Sequence, residues 1–256
     1  MKTDPQPLRI AMWSGPRNIS TALMRSFENR KDTAVTDEPF YAHYLLKTGH
    51  DHPGRETIIT SQEADWKMVV RFLTGPVPGG KAIWYQKHMA HHILPHIDMD
   101  WALTMTNCFL IRDPKEVILS YLKQIDIPTA DVLGYRQQLQ LYEFFTTKLK
   151  QQPLIIDARD VLVNPEGMLR VLCDKLGIKF TKHMLKWPAG ARDSDGVWAP
   201  YWYFNVQQST GFLPYRPPKG PLPEAYDDLY QQCLRCYEPL YKRRLTLDKH
   251  GGEDTS

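Results

Sequence analysis

The strongest constraint on the fold sits near the start of this 256-residue chain. Leu8-Arg9-Ile10-Ala11-Met12-Trp13 is mostly apolar and reads as a buried strand. Ser14-Gly15-Pro16-Arg17-Asn18 is turn chemistry. From Ile19 to Asn29, Ala22, Leu23, Ser26 and Phe27 share one helical face. Strand, tight loop and helix in that order place a helix N-terminus at a strand tip. Unpaired N–H groups and the positive end of the helix dipole make such a tip an anion site. Arg17, Asn18, Ser20 and Thr21 add side-chain donors, and Gly15 permits close backbone approach.

The same alternation continues along the chain. Ala34–Asp37, Ala82–Tyr85, Cys108–Ile111 and Leu154–Ile156 read as strands. Helices are expected over 61–73, from Pro114, over 135–150, from Asn164 to Gly177 and over 223–243. Asp113-Pro114-x-Glu116 supplies an N-cap, a Pro at N1 and a Glu at N3. Strands this continuously apolar, alternating with helices, predict an α/β fold in three layers. A central, mostly parallel sheet is flanked by helices. One domain is expected over 1–248, with 249–256 a disordered tail. The segment 188–223 differs, holding 7 of the 20 prolines and the aromatics Trp198, Tyr201, Trp202, Tyr203 and Phe204. It reads as an ordered loop packed over a site or the sheet edge.

Composition narrows the function. A net charge of +3 is too small for a general nucleic-acid or membrane-surface binder. No apolar run approaches the roughly 18 residues that span a bilayer. The first seven residues hold no apolar signal region. Four cysteines are too few for a disulfide scaffold, so a reduced, cytoplasmic protein is expected.

The first loop departs from Walker A. Counted from Gly15, its Gly-Lys-Ser/Thr would fall on Ser20, Thr21 and Ala22. The cation comes early instead, at Arg17. Here the chain resembles the sulfotransferases that use 3′-phosphoadenosine 5′-phosphosulfate (PAPS). Their strand–loop–helix carries a Pro-Lys-Ser-Gly-Thr-Thr-like run, matched by Pro16-Arg17-Asn18-Ile19-Ser20-Thr21. The resemblance puts Arg17 on the sulfate and Ser20 and Thr21 on the 5′-phosphate, while Ile19 replaces the family Gly. It also implies a 3′-phosphate clasp of a strand-end Arg and a Ser eight residues later, matched by Arg112 and Ser120. The implied fold is P-loop NTPase-like, of the sulfotransferase type.

Sulfuryl transfer to an alcohol needs a base for the acceptor proton. Gln86-Lys87-His88 resembles the family's Lys-x-His signature, with Gln86 in place of the first Lys. Asp37-Glu38-Pro39-Phe40 follows the second strand, where some bacterial sulfotransferases carry a Glu base. His88 is the preferred base and Glu38 the alternative; both can act together. His88, His91, His92 and His96 are read as polar histidines rather than a metal set, because Leu94-Pro95 breaks the helix. Cys233 and Cys236 fall on an apolar stripe and read as core thiols. Asp157 reads as a strand-end cap. Ser209-Thr210-Gly211-Phe212, with Arg216 and Lys219, loosely resembles the family's late nucleotide-covering segment. The aromatics at 198–204 are candidate adenine or acceptor walls.

The implied activity is sulfuryl transfer from PAPS to a small hydroxyl-bearing acceptor, with 3′,5′-diphosphoadenosine (PAP) as product and no metal. A P-loop kinase or NTPase with an altered loop is one alternative. A non-catalytic nucleotide-binding module is the other. No nucleic-acid or membrane partner is expected, and a homodimer stays open.

Overall fold

A computed structural model describes residues 6–123 and 128–247. The expected disordered tail lies outside those residues. Five strands form one sheet: β1 (Leu8–Ser14), β2 (Thr33–Asp37), β3 (Ile83–Met89), β4 (Thr106–Ile111) and β5 (Leu154–Asp157). Their order is β2-β3-β1-β4-β5, and every neighbouring pair is parallel. Parallel pairing brings every strand's C-terminal end to one edge, where ligands bind in such sheets.

The helices between the first three strands are α1 (Ser20–Glu28), α2 (Tyr41–Thr48), α3 (Arg55–Ser61) and α4 (Trp66–Thr74). Beyond β4 come α5 (Pro114–Tyr121), α6 (Ala130–Leu133) and α7 (Tyr135–Thr147). Beyond β5 come α8 (Ala158–Val163), α9 (Pro165–Lys175), α10 (Ala199–Trp202), α11 (Phe204–Gln207) and α12 (Asp227–Tyr241).

Strand periodicity builds the three layers. Ile10 and Met12 of β1 join Leu23, Phe27, Leu169 and Leu172 on one face. Ala11 and Trp13 join Leu73, Phe145, Cys233 and Leu240 on the other. Side chains alternate across a strand, so both faces are fully apolar where both are covered. A third cluster sits apart, with Tyr41, Tyr44 and Ile58 against Trp198 and Tyr203. It ties the aromatic-rich late segment to α2 and α3.

Several elements differ from the sequence expectation. The helix expected over 61–73 splits at an Asp65 N-cap, which accepts from the Lys67 amide at 2.9 Å. Its first residues belong to α3 and a turn. Asp113 caps α5 as expected, accepting from the Lys115 amide at 2.8 Å. Glu116 does not complete a capping box, because its carboxylate pairs with Arg112 Nε at 2.9 Å. The largest difference is β3. It runs four residues past Tyr85, so Gln86, Lys87 and His88 lie within a strand rather than in a loop.

Asp157 is the cap the sequence suggests. It accepts from the Arg159 amide at 2.8 Å and from Tyr237 OH at 2.8 Å, joining α8 to α12. Burial pushes its carboxyl up to about 6. Asp157→Ala removes the cap and strands a buried phenol, so unfolding in urea should show a loss of about 2–3 kcal/mol.

Candidate active site

The loop after β1 is built to expose amides. Arg17 and Ile19 both have positive φ, 58° and 36°. Left-handed residues in a turn swing successive N–H groups toward one concavity. Among the described residues no side chain caps α1, which begins at Ser20. The first-turn amides therefore face outward without an intrahelical partner.

They open onto a cavity of about 630 Å³. Pro16, Arg17, Asn18, Ser20 and Thr21 line it from the loop, and Arg112 and Ser120 from β4 and α5. Glu38, Lys87, Tyr41, His91 and His92 line it from the tips of β2 and β3. Trp202, Tyr203, Phe212 and Arg216 close it from the late segment. Since β2 and β4 are three strand positions apart, the mouth spans about 14 Å at about 4.8 Å per strand.

The expected anion-binding side chains meet. Arg17 Nε donates to Ser120 Oγ at 3.2 Å, and Arg112 Nη1 donates to the Arg17 carbonyl at 2.7 Å. Tyr135 OH holds the Arg112 carbonyl at 2.8 Å, and Tyr215 OH holds Glu116 at 2.6 Å. Burial and the adjacent Arg112 charge lower the Arg17 pKa. Glu116 offsets the Arg112 charge, and among the described residues no carboxylate pairs with Arg17.

Two loop residues act differently from the expectation. Gly15 does not line the cavity. A Cβ there would lie 2.8 Å from the Leu133 carbonyl oxygen, so this glycine clears the α6 backbone rather than a ligand. Asn18 donates to the Leu110 carbonyl at 2.6 Å, which staples the loop to β4.

His88, the expected base, does not line the cavity. The extended β3 turns alternate side chains to opposite faces. His88 pairs in register with Trp13 and stacks on its ring at 4.4 Å. Phe40 and Trp101 surround it, and burial lowers its pKa to about 3. The same alternation delivers Lys87 and Met89 to the cavity.

Glu38 is at the cavity, in a strained backbone with φ 41°. Its amide donates to the Lys87 carbonyl at 2.9 Å. Lys87 Nζ donates to Glu38 Oε1 at 2.5 Å and to Asp37 Oδ1 at 2.8 Å. Burial pushes the Glu38 carboxyl up against the opposing pull of Lys87. For Lys87, burial works against the charge, but Asp37 and Glu38 outweigh it and keep the amine protonated.

His91 and His92 line the same cavity, and His92 lies between the rings of Tyr41 and Tyr44 at 4.6 and 4.7 Å. Burial holds His91 neutral down to about pH 3. His96 faces elsewhere, 2.9 Å from His43 through their Nε2 atoms. Among the described residues no three His, Cys, Asp or Glu side chains form a metal-ligand group. Cys233 is buried in the core and Cys236 is half-buried, both as free thiols. In the late segment Ser209, Gly211, Phe212 and Arg216 reach the cavity, whereas Lys219 and Trp198 do not line it.

Sequence reasoning missed Asp37 and Lys87 as site members, and read Tyr203 only as one of the candidate aromatic walls. The signal for Lys87 was the alternation of β3, which continues past Tyr85. The aromatic run marked Tyr203, but nothing local announced its bonds to Lys87 and Asp37, 116 and 166 positions away.

The family described as "Sulfotransferase domain" matches residues 8–244. Two Arabidopsis thaliana proteins are similar to the chain. "Branched-chain-amino-acid aminotransferase-like protein 1" is 36% identical over 236 residues, and "protein 2" is 38% identical over 234 residues. These alignments cover 92% and 90% of this chain but 42% and 41% of those proteins, so the chain spans about two-fifths of their length. Among solved structures, a sulfotransferase from Alicyclobacillus acidocaldarius superposes with a TM-score of 0.54 at 12% identity, covering 94% of this chain and 98% of that one. The sulfotransferase domain of the Synechococcus PCC 7002 olefin synthase gives 0.52 at 15% identity, covering 91% and 97%. At these identities the structural likeness is one of fold.

Gly15→Ala drives a methyl group into the α6 carbonyl. Thermal or urea unfolding should show a loss of about 1–3 kcal/mol, whether or not a ligand is present.

Proposed function

We propose that this chain, which belongs to the sulfotransferase family, transfers the sulfuryl group of PAPS to a small hydroxyl-bearing acceptor. The observation that carries this reading is the convergence of Arg17, Arg112 and the uncapped α1 amides on one cavity that also holds Glu38.

The donor fits the β1–β4 side of the mouth. There the α1 amides, Ser20 and Thr21 suit the 5′-phosphate and sulfuryl oxygens, and Arg17 adds charge as the leaving oxygen departs. Arg112 and Ser120 suit the 3′-phosphate, which ATP lacks. The acceptor fits the β3–β2 side, among Tyr41, His92 and Trp202. Its oxygen attacks sulfur in line, the bond from sulfur to the 5′-phosphate oxygen breaks, and Glu38 takes the acceptor proton. Glu38 fits the base better than His88, because His88 is walled off behind Trp13 and Phe40. This scheme asks nothing of a metal.

Ligand-induced thermal shifts test the donor. PAP should raise the melting temperature more than AMP or ATP-Mg²⁺ does, and an equal or larger shift with ATP-Mg²⁺ would sink the reading. Arg112→Ala removes a charge-assisted contact and should weaken PAP binding about 10- to 100-fold by calorimetry.

Turnover tests the base. Glu38→Gln should lower PAPS consumption about 10²- to 10⁴-fold, whereas His88→Phe, of similar ring size, should leave most of it. A carboxylate base acts deprotonated, so kcat/KM should rise with pH. Burial places that rise above the ordinary glutamate range. A flat acid limb would contradict the assignment.

A further inference from the structure

Tyr203 lies in the turn between α10 and α11, far along the chain from the strand tips, yet its hydroxyl completes their buried charge cluster. Lys87 Nζ donates to it at 2.8 Å, and Trp198 Nε1 donates to it at 3.0 Å. The hydroxyl in turn donates to Asp37 Oδ2 at 2.5 Å. A phenol has one hydrogen and two lone pairs, and all three are used. An ammonium has three hydrogens, and Lys87 spends them on Asp37, Glu38 and Tyr203.

In this count Lys87 gives all three of its hydrogens, Asp37 accepts at both oxygens and Tyr203 gives its one. Glu38 accepts through Oε1, and its Oε2 has no hydrogen-bond partner among the described residues. We propose that Tyr203 is the positioning residue for the base, its hydroxyl setting how Lys87 divides itself between Asp37 and Glu38. The inference rests on the reading of Glu38 as base.

Four groups bear on Glu38. They are Asp37 from β2, Lys87 from β3, Tyr41 from α2 and Tyr203 from the late segment. His92 senses Lys87 but is held neutral by burial. Without the Tyr203 hydroxyl, one Lys87 hydrogen has no acceptor and Asp37 Oδ2 has no donor. Asp37 then draws the ammonium toward itself, and ionised Glu38 loses support. Its titration moves to higher pH. A fluorine beside the hydroxyl does the reverse. The phenol becomes a stronger donor to Asp37 and a weaker acceptor from Lys87, so Lys87 leans toward Glu38.

The test is a pH titration of ¹³Cδ-glutamate NMR signals on the full chain, with Glu38→Gln identifying the Glu38 resonance. Tyr203→Phe should raise the Glu38 midpoint by about one pH unit, the equivalent of one weakened charge-assisted hydrogen bond. 3-Fluorotyrosine at position 203 should lower it. The fluorinated protein keeps the side chain's shape and decides the matter if Tyr203→Phe does not fold. An unmoved midpoint in the folded proteins, or shifts of equal sign, overturns the inference. The base reading fails separately: Glu38→Gln would then consume PAPS as fast as the unmodified protein with a panel of phenols and alkyl alcohols.

Discussion

Everything at the site hangs on the central position of β1. It hydrogen-bonds β3 on one side and β4 on the other, with Trp13 opposite both His88 and Phe109. That double pairing fixes the height of three strand tips against one another. It puts the uncapped start of α1 between an arginine-bearing tip and a lysine-and-carboxylate-bearing tip. Trp13 seals the arrangement from below by donating through Nε1 to Asn107 at 2.8 Å while its ring covers His88.

The two sides of β1 differ electrically. Toward β4, Arg17 and Arg112 stand close together, and among the described residues only the Arg112 guanidinium is paired with a carboxylate, that of Glu116. Toward β2, one ammonium is shared by two carboxylates. In the proposed reaction the first side suits an anionic donor. The second side is wrapped in tyrosine and neutral imidazole rings and favours an uncharged group. The charge contrast thus runs along the sheet edge, from the β4 side to the β2 side.

The anion half of this was legible in the sequence because it is local. Pro16–Thr21 is a contiguous run, and Arg112 with Ser120 is a short helical spacing. The sheet was equally legible, since continuous apolar strands between amphipathic helices leave few alternatives. The base half was less so. Ending β3 at Tyr85 put His88 in a loop, where a titrating histidine makes sense. Four more residues of strand reversed which side chains point outward, because a strand's period is two. Gln86 looked like a lapse from the family pattern, yet it faces the core and donates to the Leu73 carbonyl at 3.1 Å. Gly15 was read for the wrong reason. Its neighbour in space, Leu133, belongs to a short helix that the sequence pattern did not announce.

Long-range closure of the lysine cluster also bears on how the chain matures. Lys87 is synthesised 116 residues before Tyr203. Until that phenol docks, one hydrogen of the Lys87 ammonium lacks its protein acceptor, which disfavours burying it dry. On the proposed reading, the proton-accepting centre therefore waits on the docking of the late segment that carries Tyr203. A nascent or truncated form could own a finished sheet and an anion cradle while still lacking the dry pocket.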